Sequence, residues 1–151
     1  MKTFKITIIL LITSLGTAVF AQEMPPSLQT ALHSDDTAKI SHYIAENNIN
    51  NCFGEYSLLS DAVRWNATNC FALLIAKGAN VNLACDDYVP PLMHAAEYGR
   101  LDMAKVLVAK GADINFKYSG KAEKAKDHTP ATYAIKYKHP EVADYLNSLK
   151  K

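Results

Sequence analysis

The 151 residues suit one modest domain, because domains commonly run to about 100–150 residues, and a second, catalytic domain has nowhere to fit. Hydrophobic residues make up 49% of the chain and charged ones 21%, which excludes disordered and collagen-like classes and calls for a packed core. A formal charge of +1 provides no electrostatic case for nucleic acid or for an acidic membrane surface.

The first 21 residues read as a secretory leader. Lys2 and Lys5 precede the apolar run Ile6 to Ile12, and Val19-Phe20-Ala21 before Gln22 offers small or compact side chains at the cleavage positions. A spanning helix needs about 20 apolar residues, and this run is shorter and interrupted by Thr7, Thr13, Ser14 and Thr17. The expectation is therefore export with cleavage at residue 22, a periplasmic or else secreted protein, and no membrane insertion afterwards. Cleavage removes two lysines and no acid, which tips the formal charge to −1. Residues 22–26 follow as a short linker.

From residue 27 onward the chain repeats. The first unit, residues 27–50, is the weakest: Ser27-Leu28-Gln29-Thr30-Ala31-Leu32 leads through Ile40, Tyr43 and Ile44 to Asn47-Asn48-Ile49-Asn50. In the second unit, residues 51–82, Ser57 to Val63 carries the pair Ala62-Val63, and Leu73-Leu74-Ile75-Ala76 runs into Lys77-Gly78-Ala79-Asn80-Val81-Asn82. The third unit, residues 83–115, restates this 33 residues later as Pro90-Pro91-Leu92-Met93-His94-Ala95-Ala96, Val106-Leu107-Val108-Ala109 and Lys110-Gly111-Ala112-Asp113-Ile114-Asn115. The fourth, residues 116–149, contains Thr129-Pro130-Ala131-Thr132-Tyr133-Ala134-Ile135 and Glu141 to Leu146. Paired small residues let a short inner helix approach its neighbours, while the Leu-Leu and Val-Leu pairs give the outer helix its apolar face. Gly78 and Gly111 fall where a helix ends in the left-handed conformation, with Asn as second choice at Asn47 and Asn66. Pro91 and Pro130 suit a first helical turn, where no helical hydrogen bond is lost.

In period and order of elements these units resemble the ankyrin repeat: a Thr-Pro-Leu-His turn, two alanines, a glycine, a second helix and Gly-Ala-Asp-Ile-Asn. The third unit, Pro91 to Asn115, matches best. Departures are local, with Pro90 and Met93 for the usual Thr and His, Asn66 and Lys138 for the inter-helix glycine, and Asn47 for the later one. The resemblance implies an all-α solenoid of about four helix–turn–helix units with β-hairpin-like fingers. Stacked units bury one continuous core, and Lys138, Glu141 and Asp144 give the last unit a polar outer face. The resemblance also implies a non-enzymatic, monomeric module that binds a single partner protein through its concave groove and fingers. Exported bacterial relatives of this kind include some linked with peroxide defence and immunity proteins that block envelope-acting toxins.

Candidate partner contacts follow from the register. Just before the inter-helix turn, three successive units place a charged residue and then an aromatic one: Arg64-Trp65, Glu97-Tyr98 and Lys136-Tyr137. Trp, Tyr and Arg dominate binding hot spots, although rings at this point can also pack against the next helix. Finger residues Phe53, Tyr56, Asp86, Asp87, Tyr88 and Val89 would extend the surface. Gly111 to Thr129 spans 18 positions against 12 for Gly78 to Pro90, so the last finger, with Phe116, Tyr118 and several lysines, is longer. It is either a binding element or a tolerated loop, because lengthening a loop costs only about 0.6 kcal/mol per doubling.

Three cysteines raise the question of a disulfide in an exported chain. Cys70 aligns with the outer-helix core positions Met103 and Val142 and is expected to be a buried hydrophobe. Cys52 and Cys85 sit 33 residues apart at equivalent points of adjacent units. One helix-packing distance of about 8–10 Å exceeds the usual Cα limit near 7 Å, so the spacing argues against a bridge unless the loops adjust. His33, His42, His94, His128 and His139 are scattered without a zinc pattern, and no phosphate loop, dinucleotide fingerprint or nucleophile elbow occurs. The expectation is no metal, no cofactor and no catalytic site. Asn66-Ala67-Thr68 matches a glycosylation acceptor, but a turn position already accounts for Asn66.

Overall fold

Residues 23–86, 88–119 and 123–150 are described by the computed structural model; the predicted leader and Asp87 fall outside them. Eight helices lie among the described residues, in four antiparallel pairs: α1 (Pro26–His33) with α2 (Thr37–Glu46), α3 (Leu58–Arg64) with α4 (Thr68–Ala76), α5 (Pro91–Glu97) with α6 (Leu101–Ala109), and α7 (Pro130–Lys136) with α8 (Pro140–Ser148). Helices α3, α5 and α7 pack side by side as an inner row, while α2 adjoins α4 and α6 adjoins α8 on the outside. No helix is long and apolar enough to cross a membrane among the described residues. The architecture is the expected solenoid of four helix–turn–helix units.

The inner helices start where the sequence says they can. Pro91 and Pro130 occupy first-turn positions, Thr129 and Thr132 form a reciprocal capping box at α7, and the Ser57 hydroxyl accepts from the Ser60 amide at 3.1 Å. Each ends in the same way. Asp35, Asn66, Gly99 and Lys138 all have positive φ. The next amide then reaches back five residues to an alanine carbonyl: Asp36 to Ala31, Ala67 to Ala62, Arg100 to Ala95 and His139 to Ala134, at 2.8–2.9 Å. This closure satisfies helix-end carbonyls within the turn. Gly78 and Gly111 do the same for α4 and α6, with Ala79 donating to Leu74 and Ala112 to Leu107, each at 3.0 Å.

Asn47 departs from the left-handed cap expected of it. Its φ is −133°, and its side-chain amide donates to the Tyr43 carbonyl at 2.9 Å. A unit one residue shorter leaves no room for the reversal, so the side chain satisfies the helix end instead.

A single cluster of buried side chains runs from Leu28 and Leu32 in α1, through Leu58, Leu74, Leu92 and Leu107, to Val142 and Leu146 in α8. Burying each such side chain contributes on the order of 1.5–3 kcal/mol, and no single pair could hide its apolar face alone. Polar groups fix the register between units. The Asn50 side chain accepts from the Asn80 amide, and Asn82 both accepts from the Asp113 amide and donates to the Gly111 carbonyl, all at 2.9 Å. The helix α4 has no capping side chain of its own at Ala67. Asp35 of the preceding unit supplies one, accepting from the Asn69 amide at 2.9 Å and the Cys70 amide at 2.8 Å.

Burial pushes the Asp35 carboxyl up, but the bonds from Asn69 and Cys70 outweigh it and hold the group below its ordinary 3.8. Its contribution is therefore present above that pH and lost as pH falls through the lower folded-state value. Asp35→Ala is expected to lower the unfolding free energy by about 1–2 kcal/mol. A urea titration checks this, and an unchanged midpoint would remove the shared cap.

The fingers differ from the expectation. Among the described residues only the second unit's finger forms a strand pair, β1 (Cys52–Phe53) with β2 (Tyr56–Ser57), antiparallel with Cys52 opposite Ser57. The others are irregular. The last finger is closed at its base by Tyr118, which donates to His128 at 3.3 Å and accepts from Asp127 at 3.0 Å.

The cysteine spacing argument is overturned. Cys52 and Cys85 are bonded, with Cα atoms 5.7 Å apart. The 8–10 Å estimate applies to helix axes held apart by side chains, whereas these residues lie on fingers that converge. Cys70 is free and buried, as expected, and burial beside Asp35 pushes its thiol up to about 12, which leaves it inert.

Candidate functional site: the inner face

The C-terminal ends of α3, α5 and α7 and the fingers before them share one side of the stack, and here the predicted residues part company. Trp65 and Tyr98 are 43% and 37% exposed. The Trp65 ring lies over His33 of the first unit, with centroids 3.8 Å apart, so the surface reaches one unit further than the charged–aromatic pairs indicated. Tyr137 instead packs edge-to-face on Tyr133 at 4.8 Å. For this third aromatic, packing is the structural role.

Beneath Trp65 and Tyr98 lies a tightly connected floor. The Arg64 guanidinium stands 3.7 Å above the Tyr56 ring and donates to Asp61 at 2.6 Å. Asp61 is buried, as is His94, whose Nδ1 lies 3.3 Å from Glu97. The Tyr56 and Tyr88 rings meet edge-to-face at 5.4 Å, and both approach His94, at 5.4 and 6.1 Å. Burial raises the Asp61 carboxyl above its usual range, while Arg64, His94 and His33 hold it back. Burial also works against the Arg64 charge, but the Tyr98 hydroxyl and the Asp61 carboxylate more than offset it. The arrangement orders long side chains before anything binds, which reduces the entropy that binding would otherwise cost.

Asp61, His94 and Tyr133 occupy one column of the repeat, yet none stood out as a site residue because each looks ordinary in isolation. Aligning the units by register, rather than scanning for motifs, is the signal that finds them.

The remaining candidates are dispersed. Asp86 is exposed at the third finger's tip with φ of 46°, and Asp87 lies outside the described residues. Lys136 donates to the Lys124 carbonyl, tying α7 to the long finger. Phe116 packs partly buried against the core. Tyr118 is a correction: at 2% exposure it is a core residue and not part of a binding finger. Its position at the loop's closing point draws the ring inward. Phe53 and Val89 are likewise buried.

The His94 environment sets a pH dependence. Burial lowers its pKa below the ordinary 6.5 despite Glu97. The unfolded chain then takes up the proton first, so stability falls as pH drops below about 6.5, with a slope of at most ~1.4 kcal/mol per pH unit. His128, which burial and Lys136 also lower, adds in the same direction. Urea midpoints between pH 7 and pH 5 should fall, and His94→Gln should flatten most of that slope. An equally steep slope in the variant would show that His94 is not its source.

Against known sequences, the family model for ankyrin repeats, in three copies, matches residues 28–118 and 91–150. The chain belongs to the ankyrin-repeat family. An ankyrin repeat protein of fowlpox virus is 34% identical over 94 residues, which cover 62% of this chain and 14% of the viral protein. The chain thus spans about one seventh of that relative. The ankyrin array is a protein-interaction fold, and its inner face is where Trp65, Tyr98 and the Arg64 floor lie.

Proposed function

We propose that this ankyrin array is an exported adaptor, periplasmic or secreted, that holds a single partner protein against its inner face and fingers. The observation that carries the reading is the exposure of Trp65 and Tyr98 above an ordered Tyr56–Arg64–Asp61 floor. Anchors of these residue types over a pre-arranged base are what binding hot spots are made of. The Cys52–Cys85 bond favours an oxidising compartment, in keeping with the leader-like first 21 residues. The role is binding without a reaction of its own; neutralising an envelope-acting toxin and supporting a stress-defence enzyme are two ways in which such binding would serve.

The test is capture of the partner from the exported fraction of the native source, followed by titration. Trp65→Ala with Tyr98→Ala is expected to weaken the complex by about 2 kcal/mol, roughly thirtyfold in Kd, while unfolding stays cooperative. Unchanged affinity would move the interface off this face.

A further inference from the structure

The disulfide joins two fingers that are built differently. The second unit's finger has its own ladder, β1 with β2, whereas the third unit's finger has no strand. Among its described residues the backbone bonds are Leu83 to Asn80 and Tyr88 to Cys85. Segments with few internal hydrogen bonds open at low cost. Cys85, buried in that finger, is bonded to Cys52 on the half-buried strand β1. Tyr56 and Tyr88, four and three residues further along their fingers, meet edge-to-face. The cross-link therefore holds Tyr88 in place against the groove floor.

We propose that Cys52–Cys85 is a thiol–disulfide exchange site, opened by a dithiol oxidoreductase, that latches the third finger to the ankyrin groove. A thiolate of the dithiol attacks the sulfur of Cys52, the less buried of the two residues, and Cys85 leaves and takes a proton from water. The second thiol of the dithiol then resolves the mixed disulfide, freeing Cys52 as a thiol and carrying away its own disulfide. Cys70 takes no part, because it is buried in outer helix α4. Opening removes the tether on residues 83–90 while the inner helix row, which stacks through Ala62, Ala95 and Ala134 rather than through the fingers, stays packed. The consequence for binding rests on the adaptor reading above; the latch itself does not.

Amide hydrogen exchange of the full chain tests this, comparing oxidised protein, protein reduced in native buffer by a thioredoxin-class dithiol enzyme, and Cys52→Ser/Cys85→Ser. The expected result is reduction without denaturant and exchange at least tenfold faster within residues 83–90, with α7 and α8 keeping their protection. Three results would overturn the latch: resistance to the dithiol unless denaturant is present, unaltered exchange in the finger, or protection lost from every unit. If the finger loosens but the partner binds equally well, the latch stands and the third finger lies outside the partner contact; the groove reading fails only on the Trp65→Ala/Tyr98→Ala titration.

Discussion

Replacing Cys52 and Cys85 together by serine is expected to lower the unfolding free energy by roughly 3–4 kcal/mol, the loop-closure value for a ring of this size. The bond spans a sequence separation of 33, so in the unfolded chain it forbids a large set of conformations that the serine pair would restore. Few other residues could do this for the array, because its helix pairs are coupled mainly to their immediate neighbours. Equilibrium unfolding in urea, with the wild type kept oxidised, measures the difference. A loss below about 1 kcal/mol would mean that the denatured chain already keeps these fingers close, since residual structure there cancels the entropic gain.

Gly99→Ala should cost about 2–5 kcal/mol, from two separable sources. Gly99 has φ of +65°, where an L side chain loses roughly 1–2 kcal/mol. A Cβ there would also stand 2.4 Å from His139 Nδ1 and 2.9 Å from its Cγ, so the ring of the following unit must move. Overpacking of that kind costs about 1–3 kcal/mol. Building Gly99→Ala into a His139→Ala background should recover the steric part and leave the backbone part, and a double-mutant cycle reads the coupling directly. Full additivity would place the whole cost in the backbone. Asn66 and Lys138, at the equivalent turns, tolerate positive φ, which shows that crowding by His139 is what singles out Gly99.

The fold was legible because each unit states its own local rules: a proline or hydroxyl at the start, alanines in the middle, and a left-handed residue at the turn, repeated at a constant interval. The departures arose where neighbours decide the outcome. Asn47 was read by its residue type, yet the shorter unit gives it extended backbone. Cys52 and Cys85 were placed at a helix spacing that does not govern loops. Tyr118 groups with the last finger in the sequence because Phe116 and several lysines stand beside it, but the residue is buried with the core. Of the site, register marks Trp65, Tyr98 and Tyr137 alike, and only the three-dimensional packing separates the exposed first two from the third. The Asp61–Arg64 contact is an i,i+3 pair that a single unit contains, whereas the burial of His94 depends on which inner-helix faces oppose one another.

The position of the disulfide has a mechanical consequence. Pulled from its two ends, the chain would carry the load through its first, third and fourth units and across the Cys52–Cys85 bond. The residues between would be shielded from force, shortening the drawn-out thread by about 110 Å at roughly 3.3–3.6 Å per residue. Helices α3 and α4, inside that ring, could then come apart but could not be stretched out.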